Sequence, residues 1–504
     1  MQISTLRTLS IAYLLAPNLI FVVGWFRPVY AIPVGLIMLT LFALQAKKYT
    51  HTAFEDDLSF KELALFLGIA FFWTFCSGTA GLSFQIIDYR NHNAKLFDLY
   101  QNPWPTYFPE IQQYACYYFG YYILPATVSK ILGDLSETVL IFWTTTGYWL
   151  ALLWLFFLVK KKLIGVLLVL FLGGIGHLLK VIFYLIFTNY TYHNPPFYLE
   201  IWSLFDQSRW VTNQIIPIML VSGMLLYDFY YSRTPIYTFF PITLGFLWAI
   251  FPSMVLVILY GILGIKHFFI DKVEKLDFKK ILPIVLAGIA FLPTFFFLSS
   301  TDNTPIHGFI WSFDPLIPIL LEYFVGVCID VVLLYVLLRA LKGVDDRISY
   351  QTVLTALILL VAISFYRLGY WNDWFIRGYN PLFYIVLVGL VRRIFTVYAT
   401  KQKKHTWALS IFLVMVGLSV ILPVSHIVKS MKYNVITAQL FPGRYPHTPF
   451  AYDMHPNIYQ SALTDTHSGI IEARQYVSAK ESFYQKYLGC KNPLDKNRRE
   501  PGRD

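Results

Sequence analysis

Charge is scarce in this chain. Only 14% of its 504 residues are Asp, Glu, Lys or Arg, while 57% are hydrophobic. A soluble protein of this length needs far more polar surface, so a water-soluble globular fold is excluded. Cysteine is scarcer still. Cys76, Cys116, Cys328 and Cys490 fall in no metal-binding spacing. Cys76 and Cys328 lie in apolar runs and read as packing residues. There is no Gly-rich phosphate loop, nucleic-acid module, internal repeat or low-complexity tract. A net charge of +11 therefore does not point to nucleic acid as a partner.

What the chain has in abundance is long apolar runs, each near the roughly 20 residues a bilayer-spanning helix needs. They predict an all-α polytopic membrane protein, with the lipid bilayer as its surroundings. About 13 spans fit the length rule: 8–26, 29–46, 61–82, 137–159, 163–187, 213–230, 236–251, 253–270, 281–299, 316–340, 351–367, 381–398 and 406–424. The pair around Pro252 also reads as one broken helix. No signal-peptidase site follows the first apolar run, which reads as a retained anchor.

Lysine and arginine cluster in alternate loops: Lys47 and Lys48, Lys160–Lys162, Arg233, Lys272–Lys280, Arg339–Arg347, and Arg392 through Lys404. The other loops carry only scattered cations. By the positive-inside rule the N-terminus is inside and the tail from 425 outside. This holds only if Tyr114–Gly133 does not span. Its dense tyrosines suit an interfacial helix, 114–133, within a long outer loop, 83–136. Domain organisation is then a transmembrane unit, 1–424, and an extracytoplasmic tail, 425–504. In the tail, His447, Tyr452, Asp453, His455 and Tyr459 suggest an ordered cap, and Lys491–Asp504 reads as disordered. Cys116 and Cys490 would both face outward, where a disulfide between them is compatible with the topology.

Three polar constellations fall on that outer side. In the first, Asp88 follows an apolar helix and is followed by Arg90, His92, Lys95 and Asp98. A shielded interfacial carboxylate can act as a general base, and nearby cations can hold a phosphate. The alternative is a solvated helix cap. The second offers His193, Glu200, Asp206, Arg209, Trp210, Asn213 and Gln214. The alternative there is that these groups satisfy free backbone amides at a helix entrance. The third has Arg367, Trp371, Asn372, Asp373 and Arg377, a phosphate and sugar platform or a one-turn ion pair flanked by interfacial aromatics. Inside the spans, His177, Lys180, Glu322 and Asp330 are costly enough to face a cavity or a partner.

An Asp at the end of an early helix, in a long outer loop, precedes an interfacial helix with a loosened Tyr-Pro-x-x-x-x-Lys element, here Tyr122, Pro125 and Lys130. This resembles the GT-C superfamily of membrane glycosyltransferases. More closely, the chain resembles a group of multi-pass bacterial membrane proteins with a GT-C-like layout. The matching stretches are Ser77-Gly78 through Gln85-x-x-Asp88, Asn93-Ala94-x-x-x-Asp98-Leu99, Trp104-Pro105, Glu200-Ile-Trp202, Asn213-Gln214-x-x-Pro217 and Asn372-Asp373-x-x-x-Arg377.

The resemblance implies a polyprenyl-phosphate-linked sugar as donor, a lipid or glycan acceptor in the envelope, and a site on the outer face of a bacterial cytoplasmic membrane. Asp88 matches the family's base. The family often carries paired acids here, but Tyr89 follows Asp88, so a second catalytic acid would come from Glu200 or Asp373. His92, Lys95, Lys130, Lys180 and Arg377 are the candidate phosphate-binding cations. Trp104, Trp371, Asn213, Gln214 and Asn372 are candidate substrate contacts, and Tyr379 a further stacking face. No cofactor is called for, and a divalent metal only if Asp88 and Asp373 approach each other. Two rival readings stay open: a lipid or glycan transporter, and a non-catalytic scaffold for envelope assembly.

Overall fold

The computed structural model describes residues 1–49, 57–186, 197–273, 277–303, 305–401, 406–464 and 469–495. His193 lies outside them. The chain is almost entirely helical, and the hydrophobic runs set the long elements. The first are α1 (Ile3–Trp25), α2 (Pro28–Tyr49) and α3 (Phe60–Ser77). A capping box of Ser59 and Glu62 starts α3, and Gly78, at φ 82°, ends it. The long loop, 83–136, then folds into α4 (Tyr89–Gln101), a two-stranded ribbon of β1 (Tyr107–Phe108) and β2 (Gln113–Tyr114), and α5 (Gly120–Leu132). At 13 residues, α5 rises only about 20 Å, short of the roughly 30 Å hydrocarbon core.

Next come α6 (Glu137–Leu158), α7 (Leu163–Phe171), α8 (Ile175–Ile186), α9 (Leu204–Trp210), α10 (Thr212–Tyr230), α11 (Phe239–Gly245), α12 (Ile250–Ile265) and α13 (Phe278–Leu298). The strand β3 (His307–Phe309) is followed by α14 (Leu316–Tyr323), α15 (Ile329–Ala340) and α16 (Tyr350–Ser364). It pairs antiparallel with β4 (Tyr366–Leu368), which leads into α17 (Asp373–Thr400). The last helices are α18 (Thr406–Ser419), α19 (Ile421–Lys432), α20 (Val435–Leu440), α21 (Ile458–Leu463) and α22 (Gly469–Arg474).

Among the described residues, nine helical stretches are long and apolar enough to cross a bilayer: Ile3–Trp25, Pro28–Lys47, Phe60–Ser77, Glu137–Leu158, Ile250–Ile270, Phe278–Leu298, Leu316–Ala340, Asp373–Thr400 and Thr406–Lys432. The expected span 163–187 is instead a pair, α7 and α8, bent by 46°. The expected span 236–251 is not a single helix. Ala249 is extended (φ −159°, ψ 97°), which separates the short α11 from α12, and Pro252 sits in the first turn of α12 where its missing N–H costs nothing. The helix α16 is shorter than expected, at 15 residues. α10 carries Asn213, Gln214, Ser222 and Asp228 and is buried from Thr212 to Phe229. It lies inside the protein rather than against lipid. These elements describe a multi-pass membrane protein whose exposed apolar side chains, among them Ile32, Leu36, Phe71 and Leu413, suit a lipid surround.

The chain also sorts its loops to two ends. At one, the cation-rich loops meet. Asp346 receives Arg392 at 2.7 Å and Lys160 at 3.4 Å, and Arg392 also donates to the Tyr231 hydroxyl at 2.7 Å. At the other end, the loops carrying Asp88, Gln207 and Asp373 meet beneath the tail. The tail is not a separate appendage. Thr406–Lys432 runs eight residues past 424 as helix, and the chain then crosses the long loop, 83–136, through bridges from Ser83 to Asn434 and from Ala115 to Val477. The expected disorder of Lys491–Asp504 does not hold at its start. Asn492 is fully buried, donates to Pro105 O at 2.7 Å, and fixes the chain against the loop. Residues 496–504 lie outside those described. No disulfide joins Cys116 and Cys490, and Cys116 is buried with its Sγ 3.1 Å from Phe297 O.

Candidate functional site

Asp88 does not follow an apolar helix directly, as the sequence suggested. Gly78 ends α3, a turn intervenes, and Asp88 occupies the N-cap of α4. Its side chain makes no capping bond and instead faces Arg377, with Oδ2 3.9 Å from Nη2. Arg377 lies one turn into α17. Its Nε is 3.7 Å from Asp373 Oδ1, and Nη1 reaches Gln207 Oε1 of α9 at 3.3 Å. The guanidinium thus sits between two carboxylates without a close bond to either. Its Nε is buried with no hydrogen-bond partner among the described residues. A buried N–H left in that state is costly, and an anion would satisfy it.

Around this centre stands a wall of tyrosines. The Lys95 ammonium, nearly fully buried, lies over the rings of Tyr117 (4.6 Å), Tyr122 (5.2 Å) and Tyr476 (5.7 Å). Burial pulls Lys95 from its usual 10.5 down to about 7, although Asp88 and Glu472 act to raise it. The Tyr118 hydroxyl accepts from Gln214 Nε2 at 2.9 Å and from Tyr117. Burial raises its pKa, and the charges of Asp373, Arg377 and Asp88 are all felt there. His92 is held by the Tyr122 hydroxyl and by Trp210 O at 2.8 Å. Burial, with Lys95 next to it, keeps its pKa well below the usual 6.5, so it is a neutral brace rather than a phosphate-binding cation. Asn213 lines a cavity of only about 20 Å³ beside His92, room for about one water.

Other candidates lie elsewhere. Glu200 belongs to a second cluster. His177 Nδ1 is 2.9 Å and Lys180 Nζ 3.4 Å from its Oε2, and Lys180 also binds Glu322 at 2.9 Å. Burial pushes the Glu200 carboxyl up, but Lys180 and His177 outweigh it and hold it at about 2. Glu200 is therefore a fixed anion, unsuited to act as base. Trp104 packs on Trp25, with Lys130 over its ring at 5.1 Å and bonded to Asn102 O. These two residues pin the outer loop. Asn372, left-handed at φ 52° and fully buried, donates to Phe197 O at 2.8 Å and shapes the turn before Asp373. Tyr379 is buried, its hydroxyl spanning Trp202 and Gln207, and offers no open face to a sugar.

The sequence reading missed Gln207 and, in the tail, Glu472 and Tyr476. Glu472 accepts from Trp371 Nε1 and from Asn91 Nδ2, each at 3.2 Å, and so ties the third constellation to the first. Its neighbours in sequence, Ile470, Ile471 and Ala473, carry no motif that marks it. Comparison of the chain with protein-family models, with curated proteins and with solved structures returns no match.

Proposed function

We propose that the protein is a GT-C-type glycosyltransferase, moving a sugar from a polyprenyl-phosphate donor to an envelope acceptor at the outer face of a bacterial cytoplasmic membrane. The observation that carries this reading is the buried Arg377 Nε, without a hydrogen-bond partner among the described residues, in a guanidinium set between Asp88 and Asp373. It is a preformed seat for one phosphate oxygen with a carboxylate on either side. The lysine and arginine asymmetry of the loops supports the outward orientation. In the reaction, an acceptor hydroxyl attacks the anomeric carbon, and the new C–O bond forms as the bond to the phosphate oxygen breaks. Asp88 takes the hydroxyl proton. The leaving polyprenyl phosphate gains negative charge, which Arg377 and Lys95 meet. Binding of the donor draws the guanidinium from its 3.9 Å contact with Asp88 toward the phosphate. No step is assigned to a metal.

Asp88→Asn tests this. A positioned base contributes roughly 10²–10⁴-fold, so sugar transfer by purified protein should fall by that factor with thermal stability unchanged. Arg377→Ala should weaken donor binding and slow transfer together. Transfer at the native rate by folded Asp88→Asn protein removes Asp88 as base. The assay must detect sugar covalently joined to acceptor, because one observation favours a transport reading: buried Glu200 and Glu322 meet His177 and Lys180 of α8, in the broken α7–α8 pair, and transporters place binding groups at broken helices. Movement of intact lipid-linked sugar without transfer would favour that reading.

A further inference from the structure

Beside the acid–arginine centre lies a second, larger cavity of about 180 Å³, many times the roughly 10–15 Å³ that one water needs. It opens between Thr301, Asn303 and Pro305, the turn before α17, and α22 of the tail. Asp373 and Glu472 contribute carboxylates to its lining, Asn303 and Gln475 carboxamides, and Trp371 and Tyr370 aromatic rings. The Trp371 indole is fixed in orientation by its bond to Glu472, by an edge contact with Tyr370 at 4.8 Å, and by Tyr198 at 5.5 Å. Glu472 itself is almost fully buried. A rigid aromatic wall with acceptor carboxylates and two-way carboxamides matches a ring that has an apolar face and a rim of hydroxyls. Among the described residues nothing in the lining is cationic, so the cavity is not built for the donor phosphate. Asp373 is shared: it lines this cavity and also contacts Arg377 at 3.7 Å.

We propose that this cavity is the acceptor subsite, taking one neutral pyranose ring laid on Trp371 with hydroxyls donating to Asp373 and Glu472. The assignment rests on the transferase reading for which substrate the sugar is, but not for the binding of sugar itself. It makes the tail part of the binding site, since Glu472 and Gln475 come from α22 and the residue just after it.

The test is saturation-transfer NMR on the full chain in detergent, with methyl glycosides of glucose, galactose, mannose and N-acetylglucosamine as probes. At least one should receive saturation on its ring protons. Trp371→Leu should lose that signal. Asn303→Trp fills the cavity while leaving the Trp371–Glu472–Asn91 bonds intact, and it should lose the signal too. Asp88→Asn should keep it. Absence of signal from every probe overturns the assignment, as does native binding in Asn303→Trp. If glycosides bind at this cavity but no sugar is ever transferred, the subsite stands and the transferase reading falls. If Asn303→Trp transfers sugar with the native acceptor KM, the reverse holds.

Discussion

Lys95 gives the sharpest handle on the site, because its charge changes within the working pH range. Its ammonium is enclosed by three tyrosine rings and all but removed from water. The fall from 10.5 to about 7 amounts to about 5 kcal/mol disfavouring the charged form. Asp88 and Glu472 work in the opposite direction. Below pH 7 the group is an ammonium that can meet the donor's phosphate. Above pH 7 the charged fraction drops about tenfold per pH unit, and apparent affinity falls with the competent fraction. The proposed donor is a phosphodiester and does not titrate in this window, so under the transferase reading kcat/KM, which reports the groups of the free protein, should bend downward near pH 7. Lys95→Arg keeps its charge throughout and should remove the bend. Glu472→Gln removes one of the two anions that hold the lysine up, and should move the bend to lower pH. The assay is initial rate against donor concentration from pH 5.5 to 9. A kcat/KM that stays flat to pH 9, or a bend that survives in Lys95→Arg, refutes a role for the lysine charge.

Two further outcomes test how the site is supported. Glu200→Gln should lower the midpoint of thermal unfolding at pH 6 by the equivalent of about 3–5 kcal/mol, since it breaks a buried charge cluster. Because the carboxyl is held at about 2 against a usual 4.5, about 3 kcal/mol of stability is present above pH 4.5 and lost as pH falls toward 2. The gap between native and variant should therefore narrow on acidification, and a gap constant from pH 6 to 3 contradicts the charge assignment. Gly326→Ala should abolish folding, because a Cβ there would lie 1.9 Å from Leu199 O, whereas Gly261→Ala meets nothing within 4 Å and should be neutral or slightly stabilising. Expression and size-exclusion profiles of the two variants distinguish them.

Much of the fold was legible because apolar length is a direct consequence of bilayer thickness. The long stretches from Ile3–Trp25 to Thr406–Lys432 follow from it. What escaped was decided by tertiary contacts. A single extended residue, Ala249, breaks the 236–251 run, and no residue type announces it. The apolar length of α10 suggests a span, but Gln214 is bonded to Tyr118 and Asp228 is paired with Arg7 of α1, so the helix packs inside the protein. For the site, Asp88, Asp373 and Arg377 were readable because charge is rare in this chain and these charges stand at helix ends. Glu200 was assigned to the same group by its loop, yet His177 and Lys180, one helix earlier, claim it. Glu472 was invisible because only the folding of the tail over the 83–136 loop brings it to Trp371 and Asn91.

That folding is itself testable through Asp98. Ile458 N donates to Asp98 Oδ2 at 2.8 Å, joining the start of α21 to α4. The other oxygen, Oδ1, is buried with no hydrogen-bond partner among the described residues. Burial raises the Asp98 carboxyl well above its usual value, so the fold favours the neutral acid. Asp98→Asn is neutral at every pH and still accepts from Ile458 N. It should match or exceed native stability at pH 7 and leave the acceptor KM alone. Asp98→Ala instead leaves that N–H buried and unpaired, at a cost of about 1–3 kcal/mol. Since α4 also carries Asn91, which holds Glu472, loosening the tail at α21 should disturb the cavity wall. The expected result is a raised acceptor KM with a kcat close to native, because Asp88 and Arg377 are held by α4 and α17 rather than by the tail. Native KM in a destabilised Asp98→Ala protein would mean that the tail covers the site without forming any part of it.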